Sequence, residues 1–419
     1  MFSAKTKQQI VIAIMGFSSG LPLALSASTL QAWYTLSGLD LVSLGALGLV
    51  GQPYVFKFLW APLFDRIRPS QNTLRLGWIL GFQLTLALWL ALMAFGDPNT
   101  HPWGLALMGL GLAFWSSSQD IVLDAYKVEQ LSPEQRGLGA AWSMTGYRLA
   151  MLASGGGALI LAQYWGFQGC YLFFAGLMVV LFGCTLFAKE TIPANWTPAP
   201  SLKTAYTAPL KEYISRKYAL AWALFIVLYK LGDAFSGAML TPFLLREVGF
   251  SLADVGIANK VVGFGATLSG LFIGGWLLNK QGLLRSLWTF GILQGVSNLV
   301  YITFLLYPDT TQNLTLLWTM VAIDNFTGGL GSAAFLVLLM QLCHPHFTIT
   351  QYALLSCLAG TGRVMISPLA GWVAQHYGWI DYFILGTLLA IPGLVLLKGL
   401  SPTLQTMPTA TQPTDAPIS

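Results

Sequence analysis

Long apolar stretches recur along the whole chain and are separated by short polar segments. A helix must place roughly 20 apolar residues in a row to cross the hydrocarbon core of a bilayer. Stretches bounded by charges, turns or Gly/Pro clusters predict twelve such spans in an all-α polytopic membrane protein. They lie near 9–33, 42–63, 75–95, 103–127, 138–163, 168–188, 218–245, 255–278, 285–307, 313–342, 350–375 and 379–399.

One long polar interruption, rich in proline and lysine, falls between the sixth and seventh predicted spans. It divides the spans six and six, and the last residues of the chain are rich in Thr and Pro, as in disordered tails. The predicted organisation is an N-terminal six-helix bundle (1–188), a cytoplasmic linker loop (189–217), a C-terminal six-helix bundle (218–401) and a disordered cytoplasmic tail (402–419).

The two halves of the chain repeat each other at an offset of about 212 residues. "AQYWGF" at 162–167 recurs as "AQHYGW" at 374–379. Further matches are Met108 with Met320, Pro133 with Pro345, Ala141 with Ala353, Gly38 with Gly249 and Gly45 with Gly256. Two parallel six-helix repeats around a cavity are typical of major facilitator transporters, so the pattern predicts that fold, with twelve transmembrane helices as two pseudo-symmetric bundles.

The composition excludes an ordinary soluble protein. Charged residues make up only 9% of the chain, against about 25% in soluble domains, and 55% of the residues are apolar. Fifteen of the 21 lysines and arginines fall on one side of the predicted spans, one falls on the other, and five lie inside spans. Because cytoplasmic loops keep an excess of cations, both termini of this multi-pass membrane protein are predicted to be cytoplasmic.

Nine charged residues lie within predicted spans. An ionised side chain at the bilayer centre costs about 3 kcal/mol on insertion scales, so such residues normally face a cavity or one another. We therefore expect them to bind solute or coupling ions. The cations are Lys57, Arg148, Lys230, Lys260 and Arg363, and the anions are Asp120, Asp124, Asp233 and Asp324.

The fourth span carries Asp120, Asp124 and Lys127 at positions i, i+4 and i+7, which places them on one helix face. That face is not expected to contact lipid. One interpretation is a gate or structural pair of Lys127 with Asp124 at the cytoplasmic water. Asp120, one turn deeper and next to Gln119, is the stronger candidate for a functional role.

Arg148 lies in the fifth span with no acid nearby in sequence, and arginine cannot lower its cost by losing its proton. Its partner is expected to be a carboxylate, either Asp120 or Asp124, or one belonging to the solute. The glycines at 155–157 follow in the same span and are expected to let helices approach closely.

Lys230 and Asp233 are three residues apart on the seventh span, so they could neutralise each other or form a binding pair. Both interpretations remain open from sequence. Lys57, Lys260 and Arg363 have no local counterion, which favours contact with an anionic solute. Lys57 could instead extend toward the cytoplasm from the inner end of its span.

Asp324, in the tenth span, is the most isolated acid of the chain. Because desolvation favours the protonated form of a carboxylic acid, it is a candidate proton carrier. The proton is the expected coupling ion, and no cofactor is expected.

The short turn holding Asp65 and Arg66 between the second and third spans is expected to act in gating, together with Lys127. No metal site is expected. His344 and His346 are close in sequence but lack a third ligand nearby, so a solvated loop is the better interpretation.

Several long motifs resemble those of the AmpG-type muropeptide permeases of Gram-negative bacteria. They include "GFSSGLPLALSASTLQAW", "GQPYVFKFLWAPLFDR", "SSSQDIVLDAYKVEQ", "IVLYKLGDAF" and "VGIANKVVG". The resemblance implies import of anhydro-muropeptides, namely N-acetylglucosaminyl-anhydro-N-acetylmuramyl peptides, for peptidoglycan recycling by proton symport. The matching polar positions are Gln31, Lys57, Gln119, Asp120, Asp124, Lys127, Arg148, Lys230, Asp233, Lys260 and Arg363.

Other functions remain possible from sequence. A siderophore importer on the same scaffold is the main alternative, and an acetyl-CoA transporter, to which the family is distantly similar, is another. A membrane-embedded acyltransferase is disfavoured because no histidine lies mid-span. The expected partners are a large polar anionic solute, protons and the bilayer, with no nucleic acid and a monomeric chain, and we expect no enzymatic activity.

Overall fold

The computed structural model describes residues 4–67, 69, 73–130, 133–191, 210–307, 312–342 and 348–406, and the regular elements in these ranges are helices. The first half contains α1 (Ala4–Ser26), α2 (Ser28–Leu36), α3 (Leu41–Ala46), α4 (Gln52–Phe56), α5 (Ala61–Arg66), α6 (Leu76–Ala94), α7 (Pro102–Gln130), α8 (Pro133–Leu152) and α9 (Ala158–Thr185). Short 3₁₀ segments at Leu47–Gly51 and Lys57–Leu59 join α3, α4 and α5, and a π-helical turn at Ala153–Gly157 joins α8 to α9.

The second half has a similar series of helices. It contains α10 (210–215), α11 (Ala219–Tyr229), α12 (Leu231–Ala238), α13 (Leu240–Pro242), α14 (Leu252–Ile257), α15 (Gly263–Gln281), α16 (Leu283–Ser297), α17 (Thr303–Leu306), α18 (Leu314–Gln341), α19 (Thr348–Leu388) and α20 (Ile391–Thr406). Two π-helical turns, Phe243–Glu247 and Ala258–Val262, flank α14.

Eight helical segments of the described chain are long and apolar enough to cross a membrane. Two of them, Trp142–Thr185 and Leu354–Leu404, have 44 and 51 residues, and a glycine with non-helical backbone interrupts each, at Gly166 and Gly378. Both glycines fall near predicted boundaries between spans. The total of twelve spans stays a prediction. The apolar helix in the second predicted span is shorter than the eight counted here, and α7 is not among the eight because charged residues lie within its apolar stretch.

Contacts divide the chain into two compact units. Unit 1 contains Met1–Leu202, Ala238–Val261 and Ser367–His376, and unit 2 contains Lys203–Gly237, Val262–Ile366 and Tyr377–Ser419. Two segments of the second half, Ala238–Val261 and Ser367–His376, belong to unit 1 because they pack on helices of the first half. The predicted division into bundles at 1–188 and 218–401 with a linker at 189–217 stays a prediction.

The internal repeat appears in the backbone conformation. Gly38 and Gly249 have φ angles of 84° and 85°, and Gly166 and Gly378 have φ angles of 70° and 80°. A positive φ is strained for a residue with a side chain, so these positions require glycine. The repeated glycines therefore mark equivalent turns in the two halves.

The caps that follow the first pair of glycines are also related by the repeat. The side chain of Asp40 accepts a hydrogen bond from the backbone N–H of Ser43 at the start of α3. At an offset of 211 residues, Ser251 and Asp254 form a capping box at the start of α14. Partial burial opposes ionisation of Asp40, but the hydrogen bonds from Ser43 outweigh it and hold the pKa below its ordinary value.

Unit 1 is held together by a close crossing of α1 and α8. A side chain at Gly20 would collide with the backbone of Tyr147, and one at Gly146 would collide with the backbone of Ala13. Small residues let two membrane helices approach closely and gain dispersion contacts. The apolar cluster beside this crossing contains Met15, Phe64, Leu76, Ile79, Phe82, Val122, Leu123 and Tyr126.

In unit 2, glycines allow the same close crossing between a different pair of helices, α15 and α18. A side chain at Gly270 would collide with the backbone of Phe326, and one at Gly329 would collide with the backbone of Thr267. The larger core of unit 2 is aromatic, and Tyr229 stacks on Phe335 with ring centroids 5.7 Å apart. This packing holds α11, which ends next to Lys230, against α18, which carries Asp324.

The end of the chain differs from the prediction at one point. Helix α20 continues to Thr406, so residues 402–406 are helical and not part of a disordered tail. Residues 407–419 lie outside the described residues.

Candidate functional site

A polar cavity of about 440 Å³ lies in unit 2. Four of the charges predicted from the sequence line it together, namely Lys230, Asp233, Asp324 and Arg363. Lys230 and Asp233 lie three residues apart at the junction of α11 and α12, whereas Asp324 and Arg363 come from α18 and α19. The cavity therefore groups two cations with two acids in an otherwise apolar bundle.

Lys230 lies at the break between α11 and α12, where the backbone leaves helical geometry. Its ammonium group donates to Gln294 Oε1 at 3.4 Å and to Ser332 Oγ at 3.2 Å. Lys230 and Asp233 form no ion pair, although both side chains are described. Asp233 interacts electrostatically with Lys230, while two neutral side chains accept its hydrogen bonds, so a self-neutralising pair and a binding pair both stay open.

Asp324 projects from the middle of α18 and accepts two hydrogen bonds from α16 and its 3₁₀ extension, Asn298–Ile302. Tyr301 donates its hydroxyl at 3.1 Å, and Ser297 donates at 3.5 Å. Thr327 holds Ser297 in place through a hydrogen bond of 2.8 Å. Among the described residues, none forms an ion pair with Asp324.

Sequence reasoning missed the neutral polar residues of this cavity. Thr267, Asn325 and Ser332 line it, and Gln294 lies behind Lys230 with only 3% of its surface exposed. The Nε2 atom of Gln294 is buried and has no hydrogen-bond partner. A glutamine within an apolar span is a signal that could have identified this position.

In unit 1, Asp120 accepts a hydrogen bond from Ser19 of α1. Lys57, which begins the 3₁₀ segment after α4, is half-buried and interacts electrostatically with Asp120. The structure therefore gives Asp120 a hydroxyl donor and a nearby cation. Lys57 is therefore placed where its charge can balance that of Asp120. The two roles predicted for Lys57, contact with the solute and extension toward the cytoplasm, stay predictions.

Gln119 is fully buried beside Asp120 and belongs to a separate hydrogen-bonded network. It donates to Ser18 at 2.7 Å, and Gln83 donates to Ser18 and to Thr185, each at 3.0 Å. This network ties α7 to α1, α6 and α9. The placement of Gln119 favours a structural role over the predicted solute contact.

Lys127 forms an ion pair with Asp124 at 2.7 Å and donates to Ser143 of α8 at 3.1 Å. This is the structural pair that the sequence left open. Asp124 is exposed, and the bond to Ser143 links α7 to α8 near the C-terminal end of α7. The gating role of Lys127 stays a prediction.

Arg148 is exposed on α8, and no hydrogen bond or ion pair involves it within the part of the chain that the structure describes. The predicted ion pair with Asp120 or Asp124 is not formed. The remaining prediction, a carboxylate of the solute, is untested.

Lys260 occupies the π-helical turn after α14, and its side chain crosses the glycines of the π-helical turn after α8. A side chain at Gly155 or Gly156 would collide with the methylene groups of Lys260. These glycines thus provide the close approach predicted from the sequence. The crossing leaves the ammonium group of Lys260 half-buried within unit 1.

Unit 1 also contains a reciprocal pair of hydrogen bonds between segments of the two repeats. Gln163 accepts from the backbone N–H of Ala253 at 2.9 Å, and Gln375 accepts from that of Val42 at 3.1 Å. Both residues belong to the repeated AQ motifs. We name these two hydrogen bonds the glutamine latch.

Two further side chains bridge the same segments. Arg246 donates to the backbone oxygens of Thr35, at 2.5 Å, and Leu39. Gln31 donates to the backbone oxygen of Ala238 at 2.8 Å. Gln31 was predicted to contact solute, and in this conformation it holds the two segments together instead.

Of the predicted gating residues, Asp65 and Arg66 lie in α5, but their side chains are outside the described residues. A nearby cluster was missed by sequence reasoning. Arg75 pairs with Glu129 at 2.8 Å and donates to the backbone oxygen of Phe64 at 3.0 Å. His344 and His346 also lie outside the described residues.

Comparisons with known proteins agree with this architecture. A family model described as the Major Facilitator Superfamily matches residues 10–346. The chain is 46% identical over 389 residues to the "Anhydromuropeptide permease" of Escherichia coli (strain K12), covering 92% of this chain and 78% of that protein. It is 31% identical to a "Putative transporter AmpG 4" of Rickettsia felis, covering 93% of this chain and 95% of that one.

Among solved structures, a bacterial homologue of the human lysosomal transporter Spinster has a TM-score of 0.71. It is 13% identical, and the match covers 97% of this chain and 98% of the other. This likeness establishes the fold alone.

Proposed function

Because the chain belongs to the major facilitator superfamily and, within it, to the family of the anhydromuropeptide permeases, we propose that it carries anhydromuropeptides across the bacterial inner membrane. Transport runs from periplasm to cytoplasm, with both termini on the cytoplasmic side. The chain works as a monomer by alternating access, without a cofactor and without chemical change to the solute.

The observation that carries this proposal is the cavity of unit 2. Lys230 and Arg363 line it, and two neutral side chains hold the ammonium group of Lys230, so its charge remains available to a ligand. A muropeptide ends in peptide carboxylates, for which buried cations are the natural partners. Thr267 and Asn325 add the polar groups that fix the orientation of a ligand.

The same cavity supports proton coupling through Asp324. Asp233 lines the cavity as well, so a second negative charge there is costly, and protonation of Asp324 relieves the repulsion. With both acids ionised, the two cations and two acids cancel. With Asp324 protonated, the cavity carries one net positive charge and binds an anionic solute.

The change in cavity charge on protonation of Asp324 is large enough to couple binding of the solute to binding of the proton. One unit charge acting at about 6 Å with an effective dielectric constant near 20 contributes roughly 3 kcal/mol. That is about a 100-fold change in affinity. Proton release into the cytoplasm then weakens binding at the side where the solute must leave.

Unit 1 supplies a different kind of contact. Asp120 and the exposed Arg148 offer an acceptor and a donor, and sugar hydroxyls can use both. The glutamine latch and the bonds of Arg246 hold unit 1 closed between segments of the two repeats. Under alternating access these bonds break and re-form in each transport cycle.

Uptake into membrane vesicles tests the proposal. Vesicles of native orientation containing the full chain take up labelled N-acetylglucosaminyl-anhydro-N-acetylmuramyl peptide, and an uncoupler abolishes its accumulation. Vesicles without the protein serve as the control. Failure to take up the disaccharide peptide, together with uptake of an iron–siderophore complex, would assign the chain to the siderophore alternative.

A further inference from the structure

An apolar groove of about 610 Å³ lies in unit 2, at the cytoplasmic end predicted from the distribution of cations. It is separate from the polar cavity and shares none of its residues. Helix α10, the start of α11 and the beginning of α19 form its walls. The lining residues are Leu210, Tyr213, Ile214, Arg216, Tyr218, Ala219, Leu220, Ala223, Gln351, Leu354, Leu355 and Leu358.

Polar contacts hold the walls of this groove in place. Arg216 pairs with Glu212 at 2.6 Å and donates to the backbone oxygen of Leu342 at 2.5 Å and to Gln351 at 3.1 Å. Tyr213 donates to the backbone oxygen of Ala219 at 3.3 Å. The groove is therefore a preformed feature of the fold, which lowers the entropic cost of binding.

Two exposed lysines adjoin residues that line the groove. Lys211 follows Leu210 in sequence, and Lys217 lies over the ring of Tyr218 at 5.2 Å. Glu212 is engaged with Arg216, so it does not offset these two lysines. Leu220 and Ile214, at 83% and 65% exposure, extend the apolar surface outward.

We propose that this groove binds one anionic phospholipid, with an acyl chain along the leucines and the phosphate group between Lys211 and Lys217. The combination of an apolar groove and two cations at one end matches a molecule with a hydrocarbon chain and a negative headgroup. Cations near the surface of an anionic leaflet are attracted to it. A soluble anion would leave the apolar lining uncovered, and a neutral lipid would leave the lysines without a counterion.

Lipid-dependent thermal stability of the purified full-length chain tests the site. Phosphatidylglycerol should raise the apparent Tm by about 2 °C or more, because a ligand that binds only the folded state stabilises it. Phosphatidylcholine, with the same acyl chains, should give less than half of that shift. The double variant Lys211→Gln/Lys217→Gln should lose the difference between the two lipids.

Two further variants distinguish binding of the headgroup by the lysines from binding of the acyl chain in the groove. Lys280→Gln is the matched control, because Lys280 is also exposed and lies over an aromatic ring, at 3.8 Å from Trp276, but its ring partner does not line the groove. It should keep the full response. We expect native mass spectrometry of the wild-type chain to show a retained phosphatidylglycerol adduct, and Ala223→Phe, which fills the groove, to lose it.

Two results would overturn the proposal. An equal response to both lipids, or an unchanged response in the double lysine variant, would show that no anionic headgroup is recognised there. A dimer without a lipid adduct in the native mass spectrum would assign the groove to a second copy of the chain.

Discussion

The fourth and tenth spans, α7 and α18, are related by the internal repeat, yet they carry their acids at different depths. The offset of 212 residues that pairs Met108 with Met320 pairs Asp120 with Ser332. Asp324 and Ser332 are eight residues apart on α18, which is about 12 Å along a helix. The repeat has therefore preserved the turns of the backbone while the charged positions diverged.

The surroundings of the two acids differ as well. Asp120 has a hydroxyl donor in Ser19 and a nearby cation in Lys57. Asp324 has two hydroxyl donors and shares its cavity with a second acid, Asp233. Opposite charge favours an ionised carboxylate, whereas like charge favours a protonated one. On this basis we propose a division of roles, with Asp120 binding solute and Asp324 carrying the proton.

Among the variants that test this division of roles, Arg363→Gln should cause the largest loss of uptake. It removes a cation from the cavity that holds two acids, so an anionic solute loses its partner. We expect kcat/KM for anhydromuropeptide uptake to fall about 100-fold, which corresponds to roughly 3 kcal/mol for a lost charged contact. Arg285→Gln is the control, because Arg285 is exposed near the start of α16 and does not line the cavity. Equal activity of both variants would remove Arg363 from the site.

Asp120→Asn should have an intermediate effect. The amide can still accept the hydrogen bond from Ser19, but it cannot balance the charge of Lys57. We expect about tenfold slower uptake with an unchanged dependence on the proton gradient. Ser19→Ala should cost only a few-fold. A loss of gradient dependence in Asp120→Asn would reverse the assigned roles of the two acids.

The glutamine latch should show the smallest effects. Gln163→Ala and Gln375→Ala each remove one hydrogen bond that is broken when unit 1 opens. A hydrogen bond contributes about 0.5–1.5 kcal/mol, so each variant should shift the open population about two- to tenfold. Distances between spin labels on either side of the latch measure this shift. Gln281→Ala, at the end of α15, removes contacts elsewhere and should leave the distances unchanged. If Gln163→Ala and Gln375→Ala shifted the open population by different amounts, the two hydrogen bonds of the latch would not be equivalent.

Features that depend on local pattern could be predicted from the sequence. Apolar stretches located the helices, and the boundaries predicted between spans fall near Gly166 and Gly378, where the positive φ requires glycine. The repeat itself also indicated the superfamily. The start of the tail was placed too early because Pro402 suggested a break, although helix α20 accommodates it.

Features that depend on contacts between helices could not be predicted. The spacing in sequence brought Asp233 near Lys230, but it could not show that Gln294 and Ser332 of other helices accept the hydrogen bonds of Lys230. The register of one helix against another determines such contacts, and a single sequence does not contain it. For the same reason Gln119 was expected to contact solute, although it lies in a buried network.

The most direct test compares gradient-driven accumulation with solute exchange in liposomes containing the Asp324→Asn variant. Exchange of labelled for unlabelled anhydromuropeptide needs no net proton movement, whereas accumulation against a concentration gradient does. The proposed charge switch predicts that Asp324→Asn keeps exchange and loses accumulation driven by a pH gradient, while Asp120→Asn accumulates solute slowly but to the wild-type ratio. Accumulation by Asp324→Asn to the wild-type ratio would contradict the assignment of Asp324 as the proton carrier.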